Sequence, residues 1–299
     1  MKPVSNIVTF FKALGVSLFA LLGSACSSYY FYPMKEMVRT PADIDLAYQD
    51  IELVTSDAVR LHAWLLTTEK PKGLVLFLHG NAENISTHIG SVYWLPKRGY
   101  EVLLPDYRGY GRSEGTPDFP EVYLDVAAAY DWARRYAAER NLPVFILGQS
   151  LGAAISSYYF SALPADERTF NAVALDAVFS GHADIARDAL RGNPITWPFQ
   201  FIVPHLVPQN HDPKAYIGQL APTPVLFFHS PDDAVIPYHH GEVVYRHAGE
   251  PKQWVTTEGP HIATFNFPQY REQLLQFFER NGHQTTARNL TPTSRPQTD

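Results

Sequence analysis

Cysteine is almost missing from this 299-residue chain, where Cys26 stands alone. No internal disulfide and no cysteine-built zinc site can therefore form. Positive charge is also scarce: 24 Lys and Arg face 30 Asp and Glu, giving a net charge of −6. With an isoelectric point near 6.0, that balance argues against nucleic acid as the main partner. No internal repeat divides the sequence. What is abundant is apolar surface, with 45% hydrophobic and 13% aromatic residues, the composition of a globular protein and not a disordered one.

The first 33 residues carry only two charged side chains, Lys2 and Lys12. Ala13 to Ala25 is apolar or small and Cys26 follows at once, so residues 1–25 read as a secretory signal. Leu22-Gly23-Ser24-Ala25-Cys26 resembles a bacterial lipoprotein signal, in which the cysteine becomes the mature N-terminus and carries lipid. It departs from the common pattern in having Gly23, not leucine, three places before the cysteine. An uncleaved anchor over Ile7 to Ala25, interrupted by Lys12, and a plain secretory signal are the alternatives. All three put the globular part outside the cytoplasm or on a membrane face. Loss of residues 1–25 removes two lysines and no acid. No basic patch then remains to hold anionic head groups, and a lipid chain or a helix must do the anchoring.

Residues 26–46 read as an aromatic-rich linker. Asp50 to Thr55 and Val59 to Leu65 alternate polar and apolar residues around Ser56-Asp57, as an antiparallel strand pair does. Gly73 to His79, Tyr100 to Pro105, Pro143 to Gly148, Ala172 to Asp176 and Val225 to His229 are short apolar runs expected of strands buried on both faces. Gln253 to Thr257 is a further strand. Helical spacing covers Ser86–Lys97, Pro120–Arg140, Leu151–Leu163, Tyr238–Ala248 and Phe267–Arg280. Two antiparallel strands followed by alternating strands and helices give a single α/β domain over 47–281, with a mostly parallel twisted sheet. Residues 178–209, with Trp197, Phe199, Phe201, Ile202 and several prolines, break the rhythm. They read as an insertion that either caps a pocket or packs as an ordinary crossover. Residues 282–299 read as a disordered tail.

The sharpest motif is Gly148-Gln149-Ser150-Leu151-Gly152. It leaves an apolar strand and opens a helix, the context in which G-x-S-x-G lifts a serine hydroxyl above a sheet edge. A serine nucleophile needs a base, and the base an orienting acid, in the chain order Ser, Asp or Glu, His. Asp232 and Asp233 occupy the loop after Val225–His229, and His261 follows the last strand in Glu258-Gly259-Pro260-His261. The bland alternatives are a helix cap for Asp233 and a solvated loop for His261. Gly80, after His79, allows a turn that aims the Asn81 N–H at a reacting carbonyl. The N–H of Leu151 would be the second oxyanion donor.

These pieces together resemble the alpha/beta-hydrolase superfamily, closest to its serine-aminopeptidase/monoacylglycerol-lipase-like branch. They are His79-Gly80-Asn81, Asp106 to Ser113, Gly148 to Gly152, His229 to Pro237 and Gly259-Pro260-His261, in family order over 47–281. The resemblance implies an alpha/beta-hydrolase fold with Ser150 as nucleophile, Asp233 as acid and His261 as base. Alignment of His229 and Pro237 with the family pattern selects Asp233 over Asp232. Ser230 and Pro260 stand where the family usually has glycine. The expected activity is ester hydrolysis without metal or organic cofactor, on a small acyl substrate at a membrane. An amide hydrolase and a non-catalytic lipoprotein scaffold are the rival readings.

Other residues draw plainer expectations. Asp106 and Arg108 read as a turn-fixing pair. Asp176, also ending a strand, is the alternative acid. His239, His240 and His247 fall on a surface helix and are expected to be solvated, with no carboxylate or cysteine to complete a metal ligand set.

Overall fold

The computed structural model describes residues 30–191, 197–202, 205 and 210–282. The signal segment, Cys26 and the tail after residue 282 lie outside the described residues. The strands are β1 (Tyr32–Pro33), β2 (Tyr48–Val54), β3 (Arg60–Leu66), β4 (Gly73–Leu78), β5 (Ala82–Glu83), β6 (Tyr100–Pro105), β7 (Val144–Gln149), β8 (Ala172–Asp176), β9 (Val225–His229) and β10 (Lys252–Thr256). The α-helices are α1 (Ile85–His88), α2 (Val122–Arg140), α3 (Leu151–Ala162), α4 (His182–Arg191), α5 (Pro213–Tyr216), α6 (Tyr238–His247) and α7 (Pro268–Gly282).

Eight strands form one sheet in the order β10-β9-β8-β7-β4-β6-β3-β2. β2 and β3 pair antiparallel, β3 runs antiparallel to β6, and the rest are parallel. The twofold alternation of a strand splits the core in two. Leu74, Leu76 and Leu78 face one layer with Val126, Ala129 and Ala133 of α2 and Ile155 of α3. Val75 and Phe77 face the other with Leu274, Phe277 and Phe278 of α7. Both faces being covered explains why β4, β6, β7, β8 and β9 are buried along their whole length.

Two expectations change here. The helix expected over Ser86–Lys97 is broken into α1 and the 3₁₀ turns Ile89–Ser91 and Pro96–Arg98. Gly90 and Pro96 fall inside it, and both weaken a continuous helix. The linker expected over 26–46 is, from Tyr30 onward, a strap bound to the domain. β1 pairs with β5, the Asn84 side chain donates to the carbonyls of Met34 and Glu36, and Phe31 and Leu46 are buried in the two core layers. The insertion contributes α4 and the turn Trp197–Phe201. Ile185 of α4 packs against a small cluster of Ala154 of α3, Phe179 and Ile236, together with Tyr30, so α4 lies near the first turn of the helix that starts at Leu151.

Candidate active site

Ser150 stands between β7 and α3 with φ 53° and ψ −113°, a backbone state that costs a non-glycine residue free energy. Its flanking glycines make that turn possible. A Cβ on Gly148 would lie 2.6 Å from the Gly152 carbonyl oxygen, and one on Gly152 would overlap the Leu78 carbonyl. The Ser150 N–H donates to the Asp176 carbonyl at 2.9 Å. Below it, the buried Asp176 carboxylate accepts from Gln149 Nε2 at 2.7 Å and from Thr264 Oγ1 at 2.8 Å. Asp176 thus braces the turn from beneath and does not touch His261 as an orienting acid. Burial pushes its carboxyl up to about 6, against those two hydrogen bonds.

Ser150, Asp233 and His261 come together across 111 residues of sequence. Ser150 Oγ lies 3.0 Å from His261 Nε2, and His261 Nδ1 lies 2.7 Å from Asp233 Oδ2. The other Asp233 oxygen accepts the backbone N–H groups of Val235 and Ile236, each at 2.8 Å. Burial alone would raise the Asp233 carboxyl. The bond and charge of His261 and those two amides outweigh it and hold the carboxyl below its ordinary value. The acid loop is pinned from behind by buried His229, whose Nε2–H donates to the Ile236 carbonyl at 2.9 Å. Asp232 is not part of this relay. Its N–H donates to Ser230 Oγ, so the residue at the usual glycine position shapes the loop.

Gly80 brings the next peptide to the nucleophile, since a Cβ there would be 3.7 Å from Ser150 Cβ. Asn81 is clamped. Its Nδ2 donates to the Tyr30 carbonyl at 2.5 Å, its Oδ1 accepts the Tyr32 N–H at 3.1 Å, and the Tyr110 hydroxyl lies 2.5 Å from its carbonyl oxygen. Leu151 is the first residue of α3, so its N–H is among the helix donors without an intrahelical acceptor. His79 is fully buried beside Tyr107 at 4.4 Å and His88 at 5.0 Å between ring centroids. Its Nδ1–H donates to the Gly80 carbonyl at 2.7 Å. This stack stiffens the loop that carries Asn81.

Other expectations are corrected. Asp106 and Arg108 do not pair. Asp106 Oδ1 accepts the Ile85 N–H at 2.9 Å, whereas Arg108 binds Asp125 and Asp57. Each is taken up by a different neighbour, Asp106 by the backbone at the start of α1 and Arg108 by carboxylates of α2 and of the β2–β3 turn. His240 is not solvated but 1% exposed. A carboxylate does stand beside the histidine pair, that of Asp188 from α4. His247 is exposed, with its Nδ1–H on the Val243 carbonyl. No spacing in the sequence points to the brace of Gln149, Asp176 and Thr264 or to the strap held by Asn81 and Asn84. The one local signal was a strand ending in a buried acid at Asp176. A surface cleft lined by Asn141, Asp166, Arg168 and Pro222 sits at the N-terminal ends of β7, β8 and β9, the opposite sheet edge from Ser150.

The comparisons agree with this architecture. A family model described as serine aminopeptidase, S33, matches residues 69–217. The uncharacterized protein YfhR of Salmonella typhi is 31% identical over 280 residues, covering 88% of this chain and 91% of its own. The alpha/beta hydrolase domain-containing protein WAV2 of Arabidopsis thaliana is 28% identical, covering 93% and 95%. Among solved structures, an esterase of Pyrococcus furiosus has the same fold, with a TM-score of 0.68 at 22% identity, covering 84% of this chain and 98% of its own. With the sheet order, the turn at Ser150 and relatives that span nearly the whole sequence, the chain belongs to the alpha/beta-hydrolase superfamily and is a hydrolase by family.

Proposed function

We propose that the chain is a serine hydrolase that cleaves carboxylic ester bonds through an acyl-enzyme on Ser150. The observation that carries the reading is the unbroken relay from Ser150 Oγ through His261 to Asp233 Oδ2, at 3.0 and 2.7 Å. His261 takes the Ser150 proton as Oγ attacks the ester carbonyl, and Asp233 holds the imidazole tautomer and stabilises the imidazolium. The N–H groups of Leu151 and Asn81 receive the oxyanion. His261 then gives the proton to the departing alcohol. Water, deprotonated by His261, attacks the acyl carbon and releases the acid and free Ser150. No metal or organic cofactor enters this sequence.

The proposal includes a membrane tether through Cys26. Among the described residues no helix is long and apolar enough to cross a membrane. Tyr30, whose carbonyl accepts from Asn81, follows Cys26 by four residues, a reach of at most about 14 Å. A lipid on Cys26 would therefore hold the oxyanion loop close to the bilayer surface. Trp197, Phe199, Phe201 and Ile202 of the insertion are exposed, which supports acyl chains as substrates. A peptide or amide substrate is the second reading, favoured by the description of the matching family model.

Turnover of p-nitrophenyl esters graded by acyl length, beside aminoacyl p-nitroanilides, separates these readings. The expected result is ester turnover that Ser150→Ala abolishes. Faster amide than ester turnover would overturn the ester assignment, and folded protein silent on both series would favour the non-catalytic scaffold.

A further inference from the structure

Outside the site above, two histidines of α6 and an acid of α4 converge. His239 Nε2 lies 3.0 Å and His240 Nε2 3.2 Å from the same oxygen, Asp188 Oδ2. The rings stack with centroids 4.5 Å apart, and the three ligating atoms all fall within 4.8 Å of one another. We propose that Asp188, His239 and His240 bind a divalent cation of the zinc class (Zn²⁺, Co²⁺ or Ni²⁺), clamping the insertion helix α4 to α6.

The hydrogen bonds behind His240 point the same way. The Ser180 hydroxyl donates to Asp184 Oδ2 at 2.7 Å, which leaves its oxygen free to accept from His240 Nδ1 at 2.9 Å. A proton on Nδ1 leaves Nε2 with its lone pair. With the proton on Nδ1, that buried atom faces the Asp188 oxygen at 3.2 Å as lone pair against lone pair, without the geometry of a hydrogen bond. A metal ion resolves that opposition. Imidazole nitrogens with one carboxylate suit zinc-class ions, and Ser180 with Asp184 supplies the outer partner that orients a ligating histidine. At bonds of about 2.0–2.1 Å, neighbouring tetrahedral ligand atoms lie roughly 3.3 Å apart, close to the 3.0 and 3.2 Å found. Water would fill the remaining positions. The Ser180 N–H also approaches Nδ1, at 3.3 Å; a ring proton placed on Nε2 by that bond would be displaced by the bound ion.

The clamp has a definite place in the fold. α4 begins the insertion after β8, and α6 follows the loop that carries Asp233. Because Ile185 of α4 packs with Ile236 of that loop, a metal here fixes the insertion relative to the acid.

Titration of the untagged, metal-free full chain with Zn²⁺ by calorimetry tests the site, with the visible absorption of the Co²⁺ form as a second readout. We expect one ion per chain, nitrogen-ligated Co²⁺ bands, and a raised Tm on Zn²⁺ addition. His239→Ala and Asp188→Asn should each weaken binding by at least about tenfold. Both side chains reach solvent, and the metal-free Tm of each variant should match that of the parent. No binding up to about 1 mM Zn²⁺, or a loss of less than tenfold in either variant, overturns the proposal. None of these readouts uses ester turnover, so failure here and failure of the hydrolase assignment remain distinct.

Discussion

Gly152 is pressed against the backbone of Leu78, so that any side chain at 152 would overlap the Leu78 carbonyl. The obstruction is main chain of the central strand β4, which cannot yield as a flexible side chain would. Gly152→Ala should therefore push α3 away from the sheet and lower stability by about 1–3 kcal/mol or more. A thermal melt checks this. An unchanged Tm would mean that α3 meets β4 less closely than described.

Asp233 and Asp176 are both buried acids near His261, and they should respond differently to neutralisation. Asp233→Asn removes the partner of His261 Nδ1 and should lower kcat by about 10⁴-fold while the fold persists. Asp176→Asn keeps an acceptor beneath the turn and touches no reacting atom, so kcat should fall by no more than about tenfold. Steady-state ester kinetics on the two variants decide between the acids, and the reverse ranking would move the role to Asp176.

Asp106 predicts a pH dependence of stability. Burial pushes its carboxyl up to about 7, against the Ile85 N–H bond and the charges of Lys35 and Arg112. Its folded value thus lies above its ordinary 3.8, so folding takes up a proton. The associated stability is present in full below about pH 4 and is lost as pH rises towards 7, up to about 4 kcal/mol in all. Asp106→Asn resembles the protonated form and keeps the acceptor for Ile85. Denaturant melts of the variant between pH 4 and 8 should be flatter than those of the parent, and parallel curves would contradict the raised value.

The Tyr110 hydroxyl meets both the carbonyl and the side-chain oxygen of Asn81, at 2.5 and 2.9 Å. Tyr110→Phe leaves those acceptors short of a donor at a cost of about 1–3 kcal/mol and loosens the oxyanion loop. The expected kinetic signature is a fall in kcat of about tenfold with KM little changed, as for an interaction made mainly in the transition state. A change confined to KM would show that the loop acts in substrate binding instead.

Some of this was legible in the sequence because it depends on local order along the chain. Ser150 sits between two glycines at a strand end, and Asp233 and His261 each follow a strand whose apolar run ends at the same sheet edge. A parallel sheet then brings them together without further information. Other features rest on long-range partners that no spacing encodes. Arg108 finds Asp125 and Asp57 and leaves Asp106 alone. His240 is buried where Ser180 and Asp188, more than 50 residues earlier in the chain, meet its two ring nitrogens. Residues 30–38 read as a linker because their hydrogen bonds go to Asn81, Asn84 and Ser86, about 50 residues further on.

The central claim is that Ser150 is the nucleophile, and labelling with a fluorophosphonate probe tests it most directly. Wild-type protein should take up one probe per chain, located by peptide mass spectrometry on the segment containing Ser150, and Ser150→Ala should take up none. Undiminished labelling of the Ser150→Ala variant, or an adduct found on another residue, would contradict the account.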